Sequence, residues 1–291
     1  MQKEQELKMI KAIVLDIDGV IIGNLPGINF PFPSLKVSEA LKKIHDNGIP
    51  ISFLTGKTTF AAWKNISKLG IDNPHIADGG AVIFNPIQNK IIKKEVLKFE
   101  NIIKLLNLLG KDAYVNIFTT EDYYLIKSAV NEYTNKYENF IGRSPILVND
   151  FSQLINKEEI SKINISSFNN IDKEKINDVL EGLSDLFNFS WSSGPNTGDV
   201  KTAVVTSKNA SKKLGVKYLA EFLNVDPDEV LGVGDTIHDW DFIEICGYKG
   251  VMGNGTEELK SKLDKNEKRD FIGGHINEDG IIDIFKKFDL I

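Results

Sequence analysis

Residues 12–20 read AIVLDIDGV, and the fold depends on how this stretch is understood. Ala12 to Leu15 are apolar without alternation, the pattern of a strand covered on both faces, and such strands belong to parallel sheets flanked by helices. Asp16 and Asp18 follow at once, although packing gives no reason to end a buried strand on two acids. Strand neighbours alternate faces, so the two carboxylates point the same way, and Gly19 lets the chain turn sharply after them. Taken alone, Asp-x-Asp-Gly reads equally well as a turn with a helix cap. The rest of the chain has to decide.

Outward from this strand, GNLPGINFPFPS (23–34) is too rich in breakers for a regular element. A helix is expected next, capped by Ser38, with Val37, Leu41 and Ile44 on one face and Gly48 closing it before the strand IPISFL. The pattern repeats in KTTFAAWKNISKLG (57–70), which carries Phe60, Trp63, Ile66 and Leu69 at helical spacing. Strand, helix, strand, helix is the rhythm of an α/β doubly wound parallel sheet.

From about Pro86 the rhythm changes. A long amphipathic helix is expected at 93–109, then AYVNIF and DYYLIK as a strand pair, a polar helix, and ISKINISSF as a further strand. A second amphipathic helix (Ile176, Val179, Leu180, Leu183) and the strand FNFSWSS complete the block. This reads as an α+β module at 85–192 inserted into a core made of 1–84 and 193–291. The first rhythm is expected to resume with a strand at 200–206, a helix from Ser211, the strand VLGVGD, a helix from His238, KGVMG, and a terminal helix in GIIDIFKKF.

Composition narrows the function. With 291 residues and 42% hydrophobic content the chain can fill about two domains. Thirty-five basic against forty-one acidic residues, net −6, argues against nucleic acid or an anionic membrane as partner. The single Cys246 excludes an internal disulfide and a cysteine-cluster metal site. The opening MQKEQELKMI mixes charges and no apolar run approaches the ~20 residues of a membrane span, so a cytoplasmic location is expected.

Two further strand ends carry chemistry. FLTGKT (53–58) ends like a P-loop, but the glycine required five positions before Gly56 is Ile51, so no glycine-rich loop can wrap a triphosphate. Thr55, read either as a helix cap or as a ligand, and the free N–H groups that follow from Gly56 can still hold one or two phosphoryl oxygens. VLGVGDTIHDWD (230–241) places Asp235 at a strand end and Asp239 four residues on. If these strands are parallel neighbours, Asp16, Asp18, Asp235 and Asp239 converge at one sheet edge, and such a cluster is repulsive without a cation. Hard oxygen donors suit Mg²⁺. Lys212 in NASKKLGVKYLAEFL, with Lys213 competing, can supply a fixed positive charge, while His238, Trp240 and Asp241 read as supporting or surface residues.

In order, DIDGV, FLTG, SKKLGVKYL and GVGDTIHD resemble the four motifs of the haloacid dehalogenase-like (HAD) phosphohydrolases. IADGGAVIF (76–84) and GVMGNGTEELK (250–260) look like further stretches of the Cof-type, class IIB, branch, whose α+β cap is inserted between the second and third motifs of a Rossmann-like core. The resemblance implies that Asp16 is a nucleophile forming an aspartyl-phosphate and Asp18 a general acid and base. Thr55, Gly56 and Lys212 would hold the phosphoryl group. Mg²⁺ would be held by Asp16, the backbone carbonyl of Asp18 and Asp235, with Asp239 ligating through water or orienting the set. Val20, Lys57 and His238 depart from the commoner threonine, arginine and asparagine without removing a catalytic group, and Gly79 replaces a frequent asparagine near the cap.

The expected function is a Mg²⁺-dependent phosphatase, monomer or homodimer, acting on a small phosphorylated metabolite, a sugar phosphate or a phosphorylated short acid. The alternatives are phosphomannomutase-like phosphoryl transfer and a non-catalytic phosphate-binding protein, against which retention of both Asp16 and Asp18 argues. Tyr123, Tyr124 and Arg143 are the cap residues considered as substrate-facing, with core packing and surface exposure the simpler reading.

Overall fold

The computed structural model describes residues 9–154, 157–193, 200–264 and 266–291, so the polar opening expected at 1–10 lies mostly outside the described residues. The chain begins β1 (Ala12–Leu15), α1 (Leu35–Asp46), β2 (Ile51–Phe53), α2 (Thr59–Ser67). Three antiparallel strands follow: β3 (His75–Ala77), β4 (Val82–Asn85) and β5 (Lys90–Lys94). Then come α3 (Phe99–Leu109), β6 (Tyr114–Phe118), β7 (Tyr123–Ile126), α4 (Glu132–Ile141) and β8 (Ile146–Val148). They are followed by β9 (Lys162–Ser167), α5 (Asn170–Glu181), β10 (Phe187–Ser193) and β11 (Lys201–Ser207). The last stretch is α6 (Lys212–Leu223), β12 (Val230–Gly234), α7 (Trp240–Ile243), β13 (Tyr248–Val251), α8 (Glu257–Lys260), β14 (Asp270–Ile272) and α9 (Ile281–Lys287).

β1 lies inside a wholly parallel sheet of order β14-β13-β12-β1-β2. Its unbroken apolar run has the cause expected of it. Ile13 and Leu15 face one core with Val37, Leu41, Ile44, Ile284 and Phe285 from α1 and α9, while Ala12 and Val14 face another with Val216, Leu219, Phe242 and Ile243 from α6 and α7. Leu15 pairs with both Val233 and Phe53, so β12, β1 and β2 end level with one another. The residues just past those ends therefore leave the sheet along one edge.

A second, six-stranded sheet has the order β10-β11-β9-β6-β7-β8 and is antiparallel except for β7 with β8. One face packs Val115, Ile117, Ile163, Ile165, Ala203 and Val205 against Ile102 and Leu105 of α3 and Ile176 and Leu180 of α5. The other carries Tyr114, Phe118, Tyr123 and Leu125 under Tyr133 and Tyr137 of α4, where Phe60 of α2 also reaches them.

Three local expectations are corrected. The strand expected at 200–206 to rejoin the first sheet is β11 of the second, hydrogen-bonded on both sides to β10 and β9, so that sheet runs on to Ser207 before α6 returns the chain. The helix expected from residue 93 starts at Phe99, because Lys90–Lys94 pair with β4. Ser34, rather than Ser38, caps α1, its hydroxyl accepting from Val37 N–H at 3.2 Å.

Candidate active site

The edge where β12, β1 and β2 end gathers three of the carboxylates. Asp16 is anchored by its own N–H, which donates to Val233 O at 2.9 Å, and it is only 7% exposed. Oxygens of Asp16, Asp235 and Asp239 all lie within 4.8 Å of one another. One ammonium sits among them. Lys212 Nζ, from the first residue of α6, donates to Asp16 Oδ1 at 2.9 Å and to Asp239 Oδ1 at 2.6 Å. The competing Lys213 turns outward to Glu244 at 2.5 Å, with its N–H on Asp241 Oδ2 at 2.8 Å. His238 is exposed.

Asp239 is fully engaged. Its Oδ2 accepts from Asp235 N–H (3.0 Å), Thr236 N–H (2.9 Å) and the Thr236 hydroxyl (3.1 Å), while Oδ1 takes Lys212. Burial works to raise its pKa, but the Lys212 ammonium and these donors outweigh burial and hold it below the usual carboxylate range. Asp16 and Asp235 behave oppositely. Burial, opposed by Lys212 and aided by Asp239 and Asp18, pushes Asp16 up to about 7. Burial and the charges of Asp16 and Asp239 push Asp235 up to about 8. One lysine does not neutralise three acids, so ionising all of them at neutral pH calls for added positive charge. The donor set is hard oxygen, which fits a divalent cation of the Mg²⁺ type.

Asp18 stands apart. Its carboxylate is 55% exposed and is held by Lys57 Nζ at 2.6 Å, outside the three-carboxylate cluster. Gly19 explains how the turn passes so close to the acids. Its φ is +75°, and a Cβ there would lie 2.0 Å from Asp235 Oδ2, so only glycine fits. Asn254, not singled out from sequence although it lies in GVMGNGTEELK, pins the turn by donating to Gly19 O at 2.9 Å and accepting from Ile276 N–H at 2.8 Å.

Thr55 is buried at 2% exposure just past β2, and its Oγ1 accepts from Lys57 N–H at 3.1 Å. It does not cap α2, whose N-cap is Thr58. Gly56 is exposed with open space where a side chain would stand. Of Tyr123, Tyr124 and Arg143, Tyr123 is buried in a stack with Phe118, and Tyr124 belongs to the core on the opposite face of the second sheet. Arg143 is tied to Asp122 at 2.7 Å and to the carbonyl of Glu121 while lying over the Phe60 ring.

A buried polar group missed in the sequence sits behind the Thr55–Lys57 turn. Lys162 of β9 is 1% exposed and its Nζ is 3.0 Å from Oδ1 of the fully buried Asp78, whose Oδ2 accepts from Thr59 Oγ1 (2.8 Å) and Ser161 Oγ (3.0 Å). The available signal was parity. Lys162 shares a face of its strand with Asn164 and Ser166, while Ile163 and Ile165 take the apolar one.

The chain is similar to known proteins over nearly its whole length. A family model described as haloacid dehalogenase-like hydrolase matches residues 13–285. The phosphatase YwpJ of Bacillus subtilis strain 168 is 24% identical over 277 residues, covering 88% of this chain and 93% of that protein. A phosphoglycolate phosphatase of Methanobrevibacter smithii is 24% identical over 287 residues, covering 97% and 99%. Among solved structures, a haloacid dehalogenase-like hydrolase from B. subtilis superposes with a TM-score of 0.77 at 22% identity, covering 95% of this chain and 99% of that one. A haloacid dehalogenase subclass IIB sugar phosphatase gives 0.76 at 22% identity, covering 97% and 100%. Among the described residues, no helix is long and apolar enough to cross a membrane.

Proposed function

The chain belongs to the haloacid dehalogenase-like hydrolase family, and we propose that it is a phosphatase hydrolysing a small phosphorylated metabolite through an aspartyl-phosphate intermediate. The observation that carries this reading is the Lys212 ammonium bridging Asp16 and Asp239 at the edge where Asp235 also arrives. A sugar phosphate or a phosphorylated short acid is the substrate class, supported by similarity to a sugar phosphatase and a phosphoglycolate phosphatase.

In the first half-reaction an Asp16 oxygen attacks phosphorus, the bond from phosphorus to the ester oxygen breaks, and protonated Asp18 gives that oxygen its proton. In the second, Asp18 takes a proton from the water that attacks phosphorus, the bond to Asp16 breaks, and inorganic phosphate leaves. The exposure of Asp18 suits a group that must reach both leaving group and water, and Lys57 steadies it. Lys212, Thr55 and Gly56 hold the phosphoryl oxygens. Asp16, Asp235 and the backbone carbonyl of Asp18 would hold Mg²⁺, with Asp239, already engaged on both oxygens, orienting the set. When bound, the ion offsets repulsion between the phosphate dianion and the carboxylate nucleophile. The second-sheet unit, which reaches the α2 side through Phe60 and Lys162, acts as a cap that selects the leaving group.

The test is phosphate release from a panel of phosphorylated metabolites and p-nitrophenyl phosphate, with and without Mg²⁺ after exhaustive chelation. The account expects release that depends on the cation and differs among substrates. Full activity in chelator contradicts the metal assignment, and no release from any monoester contradicts the phosphatase.

A further inference from the structure

The turn Thr55–Gly56–Lys57 has all three carbonyls taken. Gly79 N–H donates to Thr55 O at 3.1 Å and Asp78 N–H to Lys57 O at 2.9 Å. Gly56 O, between them, accepts from Lys162 Nζ at 3.0 Å, a side chain of the second sheet 106 residues away in sequence. A trans peptide holds its N–H opposite its C=O, so the N–H groups of Gly56, Lys57 and Thr58 point away from these donors. Thr55 Oγ1 receives that of Lys57. Those of Gly56 and Thr58 have no acceptor among the described residues, and the buried Thr58 hydroxyl has no partner there.

We propose that Lys162 is a positioning residue, reaching from the second sheet to fix the Gly56–Lys57 peptide, whose N–H holds the Thr55 hydroxyl, so that the turn presents that hydroxyl and the free N–H groups of Gly56 and Thr58 to the phosphoryl group. The inference rests on the proposed reading of this turn as the phosphate-holding loop. Burial of an ammonium at 1% exposure is costly, and an apolar side chain of similar volume would fill the space at less cost. Its contact with Asp78 Oδ1 is an ion pair without an aligned hydrogen bond. The directional bond goes to Gly56 O. Asp78 compensates the charge, and the ring of Phe118, 4.8 Å from Nζ, covers the group. Placement of the second sheet is thereby transmitted to the loop that receives phosphate.

The experiment compares wild type, Lys162→Met, the double variant Lys162→Met/Asp78→Asn and Ser161→Ala. Binding of inorganic phosphate is measured by calorimetry in the presence of Mg²⁺, at a temperature where each protein is folded by circular dichroism, alongside Tm. Lys162→Met should lose both Tm and phosphate affinity, the affinity by on the order of tenfold, as for loss of one charge-assisted hydrogen bond. The double variant removes the uncompensated charge, so Tm should recover while the affinity stays weak. Ser161→Ala loosens the same junction without touching the Gly56 bond and should lower Tm alone. The proposal is overturned if the double variant recovers both properties, or if Ser161→Ala weakens phosphate as much as Lys162→Met. Absence of phosphate binding in wild type would instead remove the phosphate-loop reading itself, and the proposal with it.

Discussion

Metal affinity should depend steeply on pH, because the cation competes with protons for acids that are hard to ionise. Asp16 sits near 7 and Asp235 near 8, in each case chiefly through burial. Metal-bound carboxylates are ionised, so binding below these values expels one proton from each group, and the two titrate as an interacting pair. The logarithm of the apparent association constant should climb by about two per pH unit below pH ~7, by about one between ~7 and ~8, and level off above. From pH 9 down to pH 6 this amounts to a loss of about a thousandfold, or about 4 kcal/mol. Carboxylates at their ordinary values would give a flat line over the same window. Calorimetric titration of the chelated protein with Mg²⁺ or Mn²⁺, in buffers of different ionisation enthalpy, reads both affinity and protons released. Asp235→Asn should remove the rise between pH ~7 and ~8 and weaken binding throughout. A pH-independent affinity, or binding without proton release at pH 6, would refute the argument that these acids lack enough positive charge of their own.

Two other expectations follow from buried geometry. His75 is locked as a neutral ring, with Nδ1 accepting Phe53 N–H at 3.1 Å and Nε2 facing Ile71 O at 3.2 Å, and burial drives its pKa down to about 3. Below pH ~6.5 the unfolded chain takes up a proton that the folded one refuses, so this group should cost about 1.4 kcal/mol of stability per pH unit as pH falls towards 3. Denaturant titrations of wild type against His75→Gln should diverge below pH ~6.5 and run parallel above it; divergence at higher pH would contradict the sign. Gly19→Ala should cost about 1–2 kcal/mol of stability through its positive φ. It should also slow turnover by on the order of a hundredfold as the Asp235 carboxylate is displaced; steady-state kinetics at wild-type rates would contradict the close approach.

The parallel sheet was legible because its evidence is local. Ala12–Leu15 is apolar on both faces, and each neighbouring strand ends on a residue that packing does not require, Thr55 or Asp235. Lys212 could be preferred to Lys213 from the motif it resembles, and the ion pairs of the two lysines separate them in space. What stayed hidden depends on pairing between distant segments. The short apolar centre of KTAVVTS, Ala203–Val205, suits a strand of a parallel or an antiparallel sheet equally, so the place of β11 beside β9 and β10 could not be read from it. Residues 90–98 continue an apolar pattern into α3 without glycine or proline, and only the ladder to β4 makes their first part a strand. Lys162 and Asp78 each give no signal alone, since their partnership joins β9 of the second sheet to the turn after β3. Ser34 and Ser38 are equally good caps by residue type, and Leu35, which opens the helix, lies off the face of Val37, Leu41 and Ile44, so the first turn does not show in that apolar spacing.

The central claim is that Asp16 and Asp18 hold different jobs, nucleophile and proton carrier, and it is tested most directly by trapping the intermediate. In Asp18→Asn the attack by Asp16 survives while proton transfer is lost, so turnover should fall by roughly 10²- to 10⁴-fold. With an activated ester whose leaving group needs little protonation, hydrolysis of the intermediate should suffer more than its formation. Rapid acid quench and mass spectrometry of the peptide containing Asp16 should then find one added phosphoryl group on Asp16, and none in Asp16→Asn, which should be inactive. A phosphoryl group mapped to another residue, or wild-type turnover in Asp16→Asn, would contradict the account.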